Sequence, residues 1–256
     1  MKRESLAVVM MTKNEEQRLA HCLDQVKGWA DEIVIIDDES ADRTLEVARR
    51  YTDKVFVHKS HDNHDAQWNY GSEKASSEWI LHIDADEIVP AALKSAIDQR
   101  LAQTDGVNAY DLWRQNFFLG RPMRHGGWRH KHRILFRRAK SRCAGQGIHV
   151  KLQVEGKVRF LDAEIEHYPF SNLAQFIDRQ NHYTSVDAGV LLKEKGKLPW
   201  KEVRRQMVFR PLKLFWKSYV KQGAWRDGPV AFYFAVLFAY FHHALWAKYW
   251  EKAQAA

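Results

Sequence analysis

The chain has 256 residues, 45% apolar and 28% charged, with 13 Gly, 6 Pro and 2 Cys; this fits one large domain or a domain with an appendage, and excludes wholesale disorder, a collagen-like repeat and a disulfide framework. A formal net charge of +8 calls for an anionic partner such as nucleic acid, a membrane surface or a phosphorylated substrate. The charge is unevenly spread: 13 Lys or Arg face 22 Asp or Glu in residues 1–112, 14 face 6 in residues 113–192, 11 face 2 in residues 193–226, and 2 face 2 in the rest.

Met-Lys-Arg-Glu-Ser leads into only a short apolar run before Lys13, with no small-residue cleavage site, so no signal peptide is expected. That run, Leu6–Thr12, reads as a buried strand; Lys13-Asn14-Glu15-Glu16 then supplies a turn and an acidic helix start, with Leu19, Cys22, Leu23 and Val26 at helical spacing. Cys22 and Cys143 are too far apart in sequence for a metal-spaced pair, and a reducing compartment is expected. Ile33-Val34-Ile35-Ile36 is a second apolar run ending in Asp37-Asp38-Glu39-Ser40; residues 44–50 are helix-like and residues 54–58 read as a third strand. Trp79-Ile80-Leu81-His82-Ile83 forms a fourth strand that runs straight into Asp84-Ala85-Asp86-Glu87, and Pro90 opens a helix through Leu101.

Strands alternating with helices predict an α/β fold with a mainly parallel sheet. In such sheets the ligand crevice lies beyond the carboxyl ends of the strands, where Asp37, Asp38, Asp84 and Asp86 would gather. Past Ala109 the regularity weakens. Residues 109–113 read as a strand, residues 114–142 as a loop-rich stretch with ten Lys or Arg and no acid, residues 148–154 and 159–165 as strands, and residues 170–193 as a helix. Residues 193–226 form a basic amphipathic stretch and residues 229–250 an aromatic-rich helix. The uncharged residues 229–247 reach the roughly 18-residue lower limit of a bilayer span, yet contain His242 and His243.

Two carboxylates one residue apart at a strand end, as in Asp84-Ala85-Asp86, can address a divalent cation and a neighbouring sugar hydroxyl while the cation neutralises a diphosphate. Read alone, the same triplet is also a solvated turn. Thr12 and Asn14 likewise fit simple helix capping, and Asp37 and Asp38 a solvated turn.

Four segments taken in order carry a resemblance: Thr12-Lys13-Asn14-Glu15-Glu16, Asp37-Asp38-Glu39-Ser40-Ala41-Asp42-Arg43-Thr44, Gln67-Trp68-Asn69-Tyr70-Gly71 and Trp79-Ile80-Leu81-His82-Ile83-Asp84-Ala85-Asp86-Glu87. Together they resemble the pattern of family 2 glycosyltransferases with the GT-A fold. Within that family the chain is most similar to the lipopolysaccharide core β-1,4-glucosyltransferase group, which shows a tail like Gln222-Gly223-Ala224-Trp225-Arg226-Asp227-Gly228-Pro229. The resemblance covers most of the chain and is firmest through Pro90.

It implies a Rossmann-like, mainly parallel sheet flanked by helices in residues 1–192, with a nucleotide-sugar half (1–112) and an acceptor half (113–192), then a helical, membrane-associating extension (193–256). It implies transfer of a sugar, expected to be glucose from UDP-glucose. Thr12, Asn14, Glu15 and Asp37 or Asp38 would surround the base and ribose, with Gln67, Asn69 and Ala85 in the same nucleotide-sugar site. Asp84 would face the ribose or donor sugar, and Asp86 would bind Mg²⁺ or Mn²⁺.

The family also implies inversion: an acceptor hydroxyl attacks the anomeric carbon, a base removes its proton, and the metal stabilises the departing diphosphate. Relatives tend to carry His-Glu near the acceptor strand, where this chain reads Gly147-Ile148-His149-Val150. His149 is therefore the candidate base, since an imidazole with a pKa of about 6.5 accepts a proton at neutral pH. Glu155, Glu164 and Glu166 are carboxylate alternatives. His167 is either a completing metal ligand or a packed histidine at a strand end.

The cation run of residues 114–142 suits phosphate, which guanidinium forks bind bidentately. Residues 193–226 interleave cations with Trp200, Met207, Leu212, Phe215, Trp216 and Tyr219. That pattern fits an anionic leaflet, each surface cation contributing about 1 kcal/mol, or a helical subdomain packed on the sheet. The expected partners are a nucleotide-sugar donor, an anionic glycolipid acceptor and the inner-membrane surface, with the protein peripheral on the cytoplasmic face. Transfer onto a polyisoprenyl phosphate would share the donor site but calls for clearer transmembrane helices. A non-catalytic membrane scaffold is the alternative of a different class, raised by the missing His-Glu carboxylate. Nucleic-acid binding is not expected, because the acidic first 112 residues and their motifs serve no purpose in binding backbone phosphates.

Overall fold

Apolar runs without polar interruption have no solvent face to present, so they form strands covered on both sides. The computed structural model describes residues 3–61, 63–103, 105–144 and 152–255. Its first elements are β1 (Leu6–Thr12), α1 (Leu19–Val26), β2 (Glu32–Asp37), α2 (Thr44–Ala48), β3 (Val55–Val57), α3 (His64–Lys74) and β4 (Trp79–Asp84). The four strands pair in parallel in the order β3-β2-β1-β4. Helix α1 buries the predicted stripe of Leu19, Cys22, Leu23 and Val26. Asn63 caps α3 by accepting from the Ala66 N–H. Gly71 lets that helix lie close on the sheet, since a Cβ there would stand 2.7 Å from Val9 Cγ1 and 3.2 Å from Ile36 Cγ1.

The chain leaves β1 toward β2 and β3 on one side, then crosses back to β4 on the other. The strand order therefore reverses at β1, which in an open α/β sheet opens a crevice at the carboxyl ends. The register sets Thr12 beside Asp37 and Met11 beside Asp84 at that edge.

The following elements are β5 (Glu87–Ile88), α4 (Ala91–Leu101), β6 (Val107–Phe118), β7 (Arg121–Pro122), β8 (His130–Arg137), β9 (Ser141–Cys143), β10 (Leu152–Val154) and β11 (Lys157–His167). Strand β8 pairs antiparallel with β4, and the order continues β8-β6-β11-β5, so the sheet is mixed. Residues 114–142, expected to be loop-rich, contain β8 and the end of a β6 longer than the predicted 109–113. The cations concealed these strands: Arg133 pairs with Asp111 at 2.8 Å and Arg137 with Glu4 at 2.6 Å, so charge that reads as loop is consumed in ion pairs, while Ile134, Leu135 and Phe136 are buried.

The chain forms two compact units, Met1–Arg114 with Lys131–His167, and Gln115–His130 with Tyr168–Ala256. The first holds the sheet core around Val8, Val9, Ile35, Leu81 and Leu135. The second contains α5 (Leu173–Lys195), α6 (Trp200–Phe215), a π-helical turn over Trp216–Lys221, and α7 (Pro229–Ala255). The boundary drawn at residue 192 from the sequence falls inside α5. Phe118, Phe176, Phe234 and Phe241 form one cluster of this unit, and Val203, Trp246 and Tyr249 belong to another. By length and composition α7 is long and apolar enough to cross a membrane.

Candidate active site

Two loops meet at the carboxyl ends of β1 and β2. Asp37 is fully buried and accepts hydrogen bonds from the Thr12 hydroxyl (3.2 Å), the Ser40 N–H (2.8 Å) and the Ser40 hydroxyl (2.6 Å). Asn14 adopts a left-handed backbone (φ 55°) that an Asn tolerates. Its N–H donates to Ser40 Oγ and its Oδ1 accepts from the Ala41 N–H, each at 2.8 Å. The Glu15 N–H donates to Thr44 Oγ1 at 2.8 Å. Asp38 accepts from the Ser60 N–H (2.8 Å) and from Lys13 Nζ (2.9 Å). Partial burial works to raise its pKa, but these donors outweigh burial and hold the carboxyl below the usual range. Thr12, Asn14, Glu15, Asp37 and Asp38 are thus brought together at one edge, although their short polar groups also stitch the two loops to each other.

A second acidic group lies at the end of β4. The Asp84 N–H donates to Glu87 Oε2 at 2.9 Å. Arg114, on β6, spans both carboxylates, with Nη2 2.9 Å from Asp84 Oδ2 and Nε 2.7 Å from Glu87 Oε1. Burial pushes the Glu87 carboxyl up to about 8 in spite of the guanidinium beside it, and the Asp84 and Asp86 charges add to the rise. The Asp86 side chain is 14% exposed, and His167 Nε2 lies 3.5 Å from its Oδ1. Burial alone would raise the Asp86 pKa; His167, Arg114 and Arg18 reverse the direction and hold it low. Neither Arg114 nor Glu87 was singled out from the sequence. The available signal was an arginine in phase within the apolar strand pattern of residues 107–118, which marks a cation that a buried acid must neutralise.

Ala85 is buried, and its carbonyl accepts from Cys22 Sγ at 2.7 Å. Burial, reinforced by Asp86 and Glu87, pushes the Cys22 thiol up to about 12, which removes it as a thiolate nucleophile or metal ligand. Gln67 donates through Nε2 to the His58 carbonyl (2.6 Å), and its Oε1 lies 2.6 Å from His58 Nδ1. Asn69 holds both backbone groups of Cys143, each at 2.8 Å. Both amides are therefore spent on protein groups. His149 lies outside the described residues. Glu155 is ion-paired to Lys140 at 3.0 Å, with its side chain 75% exposed, while Glu166 stands opposite Ile88 in the β11–β5 pairing. His82 is fully buried against Trp68 with ring centroids 3.6 Å apart, and burial drives its pKa well down.

Asp86 Oδ1 is buried, with no donor at close hydrogen-bond geometry and His167 Nε2 3.5 Å away, so it has room to be satisfied by a cation. Among the described residues no group of three His, Cys, Asp or Glu side chains is arranged to hold a metal alone. Mg²⁺ is commonly held by one or two carboxylates, with water and phosphate oxygens completing the shell. Asp86, with His167 beside it, fits such an ion.

The family model described as Glycosyl transferase family 2 matches residues 7–153. The Lipopolysaccharide core biosynthesis glycosyltransferase LpsC of Rhizobium meliloti is 26% identical over 254 residues, covering 96% of this chain and 92% of its own length. An uncharacterized glycosyltransferase of Rickettsia typhi is 26% identical over 83% of this chain and 76% of its own. Among solved structures, glucosyl-3-phosphoglycerate synthase of Mycobacterium tuberculosis, in complex with Mn²⁺ and UDP-glucose, is 18% identical. It aligns with a TM-score of 0.38 over 44% of each chain.

Proposed function

This chain belongs to glycosyl transferase family 2, and from that premise we propose that it transfers glucose from UDP-glucose, with inversion, to a lipid-linked acceptor of the lipopolysaccharide core type. The observation that carries this reading is the convergence of Asp37, Asp84 and Asp86 at the carboxyl ends of β2 and β4, on either side of β1. The likeness to LpsC along 96% of the chain supports the acceptor class. The place of action is the cytoplasmic face of the inner membrane, with the protein peripheral to it.

In the reaction an acceptor oxygen forms a bond to the anomeric carbon, the bond from that carbon to the diphosphate breaks, and the acceptor proton passes to a base. Thr12, Asn14, Glu15, Asp37 and Asp38 line the pocket for base and ribose, and Gln67, Asn69 and Ala85 form its wall. Asp84 orients the ribose or donor sugar. Asp86, with His167, would hold Mg²⁺ or Mn²⁺, which when bound neutralises charge on the leaving diphosphate. His149 takes the role of base.

The test is sugar transfer by the full chain from UDP-glucose to a lipid-linked core acceptor, with Mn²⁺. Asp86→Ala is expected to lower turnover about a hundredfold or more with an unchanged circular dichroism spectrum. Undiminished turnover would remove Asp86 from the metal site, and an acceptor glucosylated by no nucleotide sugar would overturn the reading.

A further inference from the structure

The second unit carries an uncovered apolar stripe. Val208, Leu212, Trp216 and Val220 recur every four residues along α6 and the turn after it, with Phe209 beside them. Phe209, Leu212 and Trp216 are 62%, 65% and 63% exposed. The opposite side of the same helix is committed to protein: Val203 is buried with Trp246 and Tyr249 of α7, and Phe215 and Tyr219 meet Phe232 at ring distances of 6.1 and 5.5 Å.

Charge surrounds the stripe. Trp200–Lys221 contains seven Lys or Arg and one acid, Glu202. Among the described residues only Arg205 of these cations is ion-paired, to Glu202 at 2.8 Å. Arg205, Arg210, Lys213 and Lys217 line a groove of about 560 Å³ together with Phe209 and Leu214. Cations flanking exposed aliphatic and aromatic groups suit a surface that is anionic at the headgroup and apolar just below it. Nucleic acid would leave the aliphatic Val208, Leu212 and Val220 unused, since they offer it no stacking face. A second copy placed across a two-fold axis would bring two cationic stripes together.

Helix α7 is held on one side only: Tyr233, Phe238 and Tyr240 are 59%, 47% and 57% exposed, and they carry no Lys or Arg beside them before Lys248, while the other side is committed to protein. Phe234 and Phe241 pack on Phe176 of α5 at 6.1 and 5.8 Å. Lys248 Nζ donates to the Asn181 carbonyl (2.7 Å) and to Ser185 Oγ (2.8 Å), and the Tyr249 hydroxyl donates to the Gly196 carbonyl at 2.5 Å.

We propose that the outer stripe of α6 and the turn after it is the membrane-contact face, lying in the headgroup plane of an anionic bilayer, because it is the exposed apolar surface that cations flank. This rests on the membrane-bound acceptor put forward above and names the surface that meets the lipid.

The experiment is co-sedimentation of the full chain with phosphatidylglycerol–phosphatidylcholine vesicles and with pure phosphatidylcholine vesicles, at low and high salt. The native chain is expected to sediment with the anionic vesicles and to be released by salt. Leu212→Ser with Trp216→Ser, and separately Lys213→Glu with Lys217→Glu, are each expected to weaken that binding at least tenfold. Circular dichroism and the thermal response to UDP-glucose with Mn²⁺ should stay native in both, so loss of membrane contact is distinguished from failure of the donor site. Native-level sedimentation of both variants, equal binding to neutral vesicles, or a native dimer that the apolar variant splits without loss of vesicle binding would each overturn the proposal.

Discussion

Glu32 shows how one carboxylate at the start of a strand closes several loose ends. It accepts from Lys54 Nζ (2.5 Å), the Ser76 N–H (2.9 Å) and the Ser77 N–H (3.0 Å). Burial opposes its charge, but these donors prevail and hold its pKa at about 2, against 4.5 unperturbed. A depressed native pKa means the stabilisation is fully present above the unfolded value and is lost as pH falls from about 4.5 toward about 2. Glu32→Gln is expected to lose about 2 kcal/mol at pH 7 and to show a shallower loss of stability over that acid range, read by thermal unfolding at a series of pH values. An equally steep acid limb would assign the effect to other groups. Arg114 makes the complementary case, a cation between Asp84 and the buried carboxyl of Glu87. Arg114→Met is expected to cost about 1.5–3 kcal/mol in urea unfolding, because Asp84 would lose its counter-charge and the buried Glu87 carboxyl its polar partner; a cost below about 1 kcal/mol would show that both acids are satisfied by solvent instead. The sequence exposed Asp84 and Asp86 through their spacing, but Arg114 stands 28 residues beyond Asp86, and only strand pairing brings it to them.

At the scale of elements, the early strands and helices were legible because their patterns are unmixed. β1 has no charged residue, and α1 repeats its apolar residues at helical spacing. β8 was not legible, since Arg133 and Arg137 spend their charge on partners distant in sequence. Helix α3 depends on closeness rather than on an apolar stripe: its inward residues include Asp65, Gln67 and Gly71. Gly71→Val is expected to destabilise by about 1–3 kcal/mol, because the added carbons would enter the space of Val9 and Ile36. The check is a lower denaturant midpoint with an unchanged slope, and a midpoint at the native value would mean that α3 shifts freely on the sheet.

At the scale of the whole molecule, the net charge of +8 is a sum of opposed parts. On the proposed function the acidic strand edge takes its diphosphate together with a cation, so UDP-glucose and Mn²⁺ together are expected to raise stability by about 2.7 kcal/mol at 100 times the dissociation constant. EDTA should abolish the metal-dependent part, and a flat thermal response to every nucleotide sugar would remove the donor site. By itself the sequence determined the parallel α/β half, its family and the positions of the acidic motifs, because strand and helix periods and contiguous motifs are local properties of a chain. Tertiary structure alone decided that Arg114 and His167 join the acids of β4, and that Gln67 and Asn69 spend their amides on neighbouring backbone. It also decided that α5 packs with the C-terminal helices and that α6 leaves its apolar stripe uncovered. Each of these depends on which distant residue lies opposite, and local periodicity carries no record of that partner.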